Sequence, residues 1–177
     1  FLLTGRIDKD KTLVIMAGDH GVVEEGVSAY PQEVTPQMIL NFINGGAAVS
    51  VFARHVGARI VCVDVGVISD MDNPKIINKK IMRGTNNMAK GPAMTIEEAN
   101  RALEVGIQMA NKEIDKGADI LATGEMGIGN TTPSSAILSV YSDESLERLV
   151  GKGTGLNDSG LSLKIQVIKK AIEVNNP

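Results

Sequence analysis

Three short runs of mostly apolar, often β-branched residues, at 12–17, 59–65 and 119–123, alternate with longer stretches of helical periodicity. That alternation limits the folds open to this chain more than any other feature. Strands separated by helix-length segments form crossover units, so the expected class is α/β: a Rossmann-like, mainly parallel sheet with helices on both faces. With 177 residues the chain is long enough to bury one sizeable core, and 1–177 is read as a single α/β domain.

The periodicity predicts the elements in more detail. After the first strand, Gly18-Asp19-His20-Gly21 opens a polar loop that runs to Pro31. Thr35 followed by Pro36 reads as an N-cap and a first helical position. Two short helices then flank the Gly45-Gly46 pair, and residues 75–82 read as an extra, more exposed strand. Thr95 and Glu98 form a capping box for a long helix whose inward stripe is Ala99, Leu103, Ile107, Ala110 and Ile114, with Gly117 ending it. The strand at 119–123 reads as buried; it empties into a glycine-rich loop, 124–132, and Pro133 fits the first turn of the next helix. A short helix near 144–149 follows. Asn157 or Asp158 caps a last helix with Leu161, Ile165, Ile168 and Ile172 inward.

Composition removes several classes of partner. A net charge of −3 with interspersed signs gives no electrostatic reason to expect nucleic acid or an anionic membrane, so any bound phosphate has to be held locally. The lone cysteine, Cys62, reads as a half-buried strand residue. No apolar stretch is long enough to span a bilayer, and Phe1-Leu2-Leu3 is too short and unflanked for a secretory signal, so the chain reads as cytoplasmic. A start at Phe1 and a stop at Pro177, directly after a helical pattern, read as cuts at both ends.

The loop 124–132 has what an anion site needs. Its glycines let the backbone approach closely, and a helix N-terminus follows with unpaired N–H groups and a positive dipole end. A simple glycine turn with a threonine cap is the plainer alternative, and Glu125 beside the glycines speaks for a further role. The dinucleotide fingerprint needs glycine where Thr132 stands, and the Walker pattern needs glycine at Leu146 and serine or threonine at Gly153, so neither fits. Lys152 and Lys164 are the nearest basic candidates for a phosphate, and spacing does not choose between them. With two histidines in the chain a metal centre is not expected; Asp19 and His20 are read as organising their loop by hydrogen bonds. No serine sits in a nucleophile elbow, which disfavours triad hydrolysis.

Taken together, Met16-Ala17-Gly18-Asp19-His20-Gly21-Val22, Gly26-Val27-Ser28-Ala29-Tyr30-Pro31, Val34-Thr35-Pro36-Gln37-Met38, Asn44-Gly45-Gly46-Ala47-Ala48, Asp64-Val65-Gly66, Gly124-Glu125-Met126-Gly127-Ile128-Gly129-Asn130-Thr131-Thr132 and Gly151-Lys152-Gly153-Thr154-Gly155-Leu156 are similar, in order and spacing, to the nicotinate mononucleotide:dimethylbenzimidazole phosphoribosyltransferase family. The resemblance implies a Rossmann-like homodimer that needs no cofactor or metal. It also implies transfer of phosphoribosyl from nicotinate mononucleotide to dimethylbenzimidazole, with α-ribazole phosphate and nicotinate as products in cobalamin biosynthesis. On that resemblance Gly127, Gly129, Asn130, Thr131 and Thr132 hold the mononucleotide phosphate, Glu125 and Lys164 lie around the mononucleotide, and Ser28, Gln37 and Met126 line the aromatic-base pocket. The family's general-base glutamate belongs to a glycine-rich segment beyond the point that matches Pro177, so no catalytic base is expected in these residues. Rival expectations are a Rossmann-type dinucleotide-binding oxidoreductase domain and a non-catalytic mononucleotide-binding module.

Overall fold

The computed structural model describes residues 9–177, and Phe1-Leu2-Leu3 lie outside the described residues. Four strands form one parallel sheet: β1 (Lys11–Gly18), β2 (Ala58–Gly66), β3 (Ile76–Asn78) and β4 (Ile120–Met126), in the order β3-β2-β1-β4. The helices are α1 (Val34–Ile43), α2 (Ala48–Val56), α3 (Ile96–Asp115), α4 (Thr131–Val140), α5 (Leu146–Leu149) and α6 (Asp158–Asn175), with a 3-10 turn at Gly21–Glu25. No helix among the described residues is long and apolar enough to cross a membrane.

Side chains alternate across a strand, and the core divides accordingly. Ile15, Ala17 and Cys62 point to one face, against Ile39 and Phe42 of α1 and Ala47; Val14 and Val63 point to the other, against Val105 and Met109 of α3. Each of the valine, isoleucine, phenylalanine and methionine side chains contributes roughly 1.5–3 kcal/mol relative to exposure. The expected α/β class, with helices on both faces, is therefore what the chain adopts. α6 packs away from the sheet, where Ile168 meets Ala136 of α4 and Val150, and Val167 meets Val22, Val27 and Ala89. Asn157 is the residue that caps α6, its side-chain oxygen accepting from the Gly160 amide at 2.8 Å.

Several details differ from expectation. The strand read at 75–82 has regular strand pairing only over Ile76–Asn78, although the chain stays beside β2, the Lys79 amide donating to Asp64 O and the Ile81 amide to Val65 O, both at 2.8 Å. β4 is not a buried strand. Among the described residues it pairs with β1 alone and leaves Ile120, Ala122, Thr123 and Glu125 exposed, and it runs on to Met126, so Gly124 and Glu125 belong to the ladder rather than the loop. Cys62 is fully rather than half buried, and burial pushes its thiol pKa up to about 11.

The capping box of α3 forms as expected, with the Thr95 hydroxyl accepting from the Glu98 amide and the Glu98 carboxylate accepting from the Thr95 amide. Its inward stripe does not. Leu103 and Ile107 are 68% and 62% exposed, and Ile114 is exposed too, while Val105, Met109 and Glu113 are buried. A buried ion pair fixes this rotation: the Glu113 carboxylate, wholly inside, accepts from Arg59 Nη1 at 2.9 Å and Lys116 Nζ at 2.7 Å. Turning this carboxylate outward would break its bond to Arg59 on β2, and an apolar count along the helix does not register it.

Candidate mononucleotide phosphate site

Parallel pairing brings the carboxyl ends of β1, β2 and β4 to one edge of the sheet, where α/β proteins build ligand sites. From Met126 the chain passes through residues 127–130 into α4. Two glycines make this passage possible. Gly129 has φ +85°, and a Cβ on it would stand 2.5 Å from Val23 Cγ2; a Cβ on Gly127 would collide with the Gly18 carbonyl oxygen. Within the loop the Asn130 amide donates to Gly127 O at 3.1 Å and the Thr132 amide to Gly129 O at 2.9 Å. The Ile128 amide donates to Thr35 Oγ1 at 3.1 Å. The amides of Gly129 and Thr131 donate to no acceptor among the described residues. Both residues line a cavity of about 130 Å³, together with Ser28, Met126 and Gly153.

Lys152 is the lysine that lines this cavity, and Lys164 stands behind its wall, against Thr131. Lys164 lies on α6 at 1% exposure, with its ammonium donating to Thr131 Oγ1 at 2.5 Å and to Gly151 O at 3.1 Å. Among the described residues it forms no ion pair, and burial lowers its pKa. Lys152, the other candidate, is half exposed and paired with Asp158 at 2.7 Å. An ammonium out of water with two neutral acceptors has one donor left over and an uncompensated charge. Gly153, at φ +63°, lets the 151–155 loop lie close: a Cβ there would come within 3.0 Å of Thr131 Oγ1 and 3.5 Å of Lys164 Nζ.

Of the residues named from sequence, Ser28, Met126, Gly127, Gly129, Asn130, Thr131 and Lys152 line this one cavity, and Lys164 touches it through Thr131. Thr132 lies behind it, fully buried, with a hydroxyl that has no hydrogen-bond partner among the described residues. Gln37 is exposed on α1 and outside the cavity lining. Glu125 borders a separate apolar hollow of about 490 Å³ between the sheet and α3. Its carboxylate accepts from the Asn130 side-chain amide and lies 3.7 Å from His20 Nε2. Asp19 ties its loop to neighbouring segments, Asp19 Oδ2 accepting from the Ile68 amide at 2.9 Å and Asp19 O from the Thr85 amide at 3.0 Å, whereas His20 takes part only through its carbonyl, which accepts from Gln32 Nε2 at 3.0 Å, and its Nε2 has no hydrogen-bond partner among the described residues.

Thr35 is a correction. It is the second residue of α1, not its N-cap: Val34 begins the helix, the capping position falls on Glu33 with no side-chain bond, and the Thr35 hydroxyl faces Ile128 instead. Pro36 sits third in the first turn, where its missing N–H costs nothing. No local signal separates these two uses of a Thr-Pro pair. Gly153 is a site residue that the sequence reading does not single out, although the glycine density of 151–155 points to a close approach.

A family model described as a phosphoribosyltransferase matches residues 4–177. The nicotinate-nucleotide–dimethylbenzimidazole phosphoribosyltransferase of Geotalea uraniireducens (strain Rf4) is 54% identical over 179 residues, covering 99% of this chain and 51% of the relative. The enzyme of the same name from Desulforudis audaxviator (strain MP104C) is 54% identical over 97% of this chain and 49% of its own. The crystal structure of CobT from Thermus thermophilus superposes with a TM-score of 0.89 at 47% identity, covering 93% of this chain and 50% of that one. The chain thus spans about half the length of the curated relatives it matches. On a match that takes in all of its strands and helices, the chain belongs to this phosphoribosyltransferase family.

Proposed function

We propose that these residues form the part of a phosphoribosyltransferase that holds nicotinate mononucleotide by its phosphate, for transfer to dimethylbenzimidazole in the synthesis of the cobalamin lower ligand. One observation carries the reading: the buried Lys164 ammonium, without a carboxylate partner among the described residues, sits where two free loop amides and a helix N-terminus meet. An incoming phosphate would compensate that charge and accept from the amides of Gly129 and Thr131. In this reading Gly127, Asn130 and Thr132 shape the loop, Ser28 and Met126 face the aromatic base, and Gln37 belongs to that pocket on the family resemblance alone. Glu125, held by Asn130, stands beside the mononucleotide in the ground state.

The reaction is a displacement at the anomeric carbon with inversion from β to α. The unprotonated ring nitrogen attacks with its free lone pair, the proton on the other ring nitrogen is lost as nicotinate leaves, and fixing the two substrates in line supplies much of the acceleration. On the family resemblance, the proton acceptor is a general base that these residues do not supply. The working enzyme is proposed to be a cytoplasmic homodimer of one α/β core domain per such segment, without cofactor.

Calorimetric titration of these residues alone is expected to give weak 1:1 binding of nicotinate mononucleotide and none of a nicotinamide dinucleotide. Incubation with both substrates is expected to yield no α-ribazole phosphate by chromatography. Dinucleotide binding in place of the mononucleotide would favour an oxidoreductase reading, and rapid product formation would show that the base lies within this chain.

A further inference from the structure

Thr35 is fully buried in the first turn of α1, yet it contributes nothing to capping that helix; its own amide donates to Gln32 O at 2.9 Å. Its hydroxyl oxygen accepts from the amide of Ile128, 93 positions later in the chain. Three residues before it, Gln32 Nε2 donates to the His20 carbonyl in the loop that leaves β1. One turn therefore grips both loops at the carboxyl edge of the sheet.

We propose that Thr35 is a positioning residue for the anion site: by taking the Ile128 amide it sets the peptide planes of 127–130 so that the amides of Gly129 and Thr131 stay free for phosphate. A loop with five consecutive amides can present them in several directions, and glycine at 127 and 129 makes it easy to turn. Committing one amide to a fixed acceptor removes most of that freedom before the ligand arrives, which is how preorganisation raises affinity. A side chain serving α1 alone would have no reason to bond across 93 residues. The inference rests on the phosphate reading above but makes a claim of its own about how the loop is held.

Two substitutions separate the hydroxyl from the volume it fills. Thr35→Val keeps the shape and removes the acceptor, whereas Thr35→Ser keeps the acceptor. In the valine variant, amide exchange at Ile128 should quicken about tenfold or more and the Kd for nicotinate mononucleotide should rise about tenfold. In the serine variant both should stay within about threefold of the parent. Should the valine variant fail to fold, Thr35→Cys, a much weaker acceptor, replaces it in the comparison. Unchanged affinity without the acceptor, or a serine variant as weak as the valine one, would overturn the proposal. If the parent chain bound no mononucleotide, the functional reading would fall, and Ile128 exchange in the valine variant would still decide whether Thr35 holds the loop.

Discussion

Replacing Lys164 with methionine is expected to weaken nicotinate mononucleotide binding about a hundredfold while leaving the fold as stable as before, or more so. The two effects have one cause. Folding takes the ammonium out of water without giving it a carboxylate among the described residues, and its lowered pKa expresses that cost. Because the pKa is depressed in the folded state, the unfolded chain holds the proton more tightly, and the penalty is present below the folded pKa and fades as pH rises through it. Methionine keeps a long apolar stem in the same space and removes the charge. A phosphate loses its cation, worth roughly 3 kcal/mol for a charge-assisted bond in a site shielded from water. Calorimetry for affinity and thermal unfolding for stability check the pair. Weakened binding accompanied by a large fall in Tm would mean that Lys164 is a structural residue whose charge is satisfied within the fold.

The second large effect lies on the far side of the sheet. Glu113→Ala is expected to destabilise the fold by about 2 kcal/mol, seen as a Tm lower by roughly 5 °C, with no change in ligand affinity at the permissive temperature. The estimate sits below that for a fully buried pair because Arg59 and Lys116 are themselves nearly half exposed and can be rehydrated. Burial alone would raise the Glu113 pKa, but the hydrogen bonds from Lys116 and Arg59 outweigh it and the net shift is downward. A carboxylate with a depressed folded pKa contributes stability that is present above its unfolded value and lost as pH falls through the folded one. Acid titration of stability below pH 4.5 should therefore be shallower in Glu113→Gln than in the parent. Equal acid sensitivity in the two proteins would show that the ion pair does not set it.

How much of this could be read from sequence depended on the range over which each feature is decided. The strands at 12–17 and 59–65 were legible because β-branched apolar runs bounded by glycine have few other uses, and the Thr95/Glu98 box and the Asn157 cap were legible because capping is settled within four residues. The edge position of β4 was not, since an apolar run looks the same whether one neighbour strand pairs with it or two. Nor was the rotation of α3, where a carboxylate held by Arg59, 54 residues away, overrides an apolar stripe. The glycine loop and Lys164 were found one at a time, but only the fold brings Thr131, Gly151 and Lys164 to a single point. Thr35 shows the same limit from the other side: a Thr-Pro pair reads locally as a cap, and its partner at Ile128 is set by how α1 lies against the end of the sheet.

The most direct test is a nitrogen-15 spectrum of the chain titrated with nicotinate mononucleotide. The amides of Gly129 and Thr131 should shift in step, saturate at one equivalent and move together with the side-chain signal of Lys164. Saturation of binding with those three resonances unmoved would contradict the account, because the phosphate would then be held somewhere other than the start of α4.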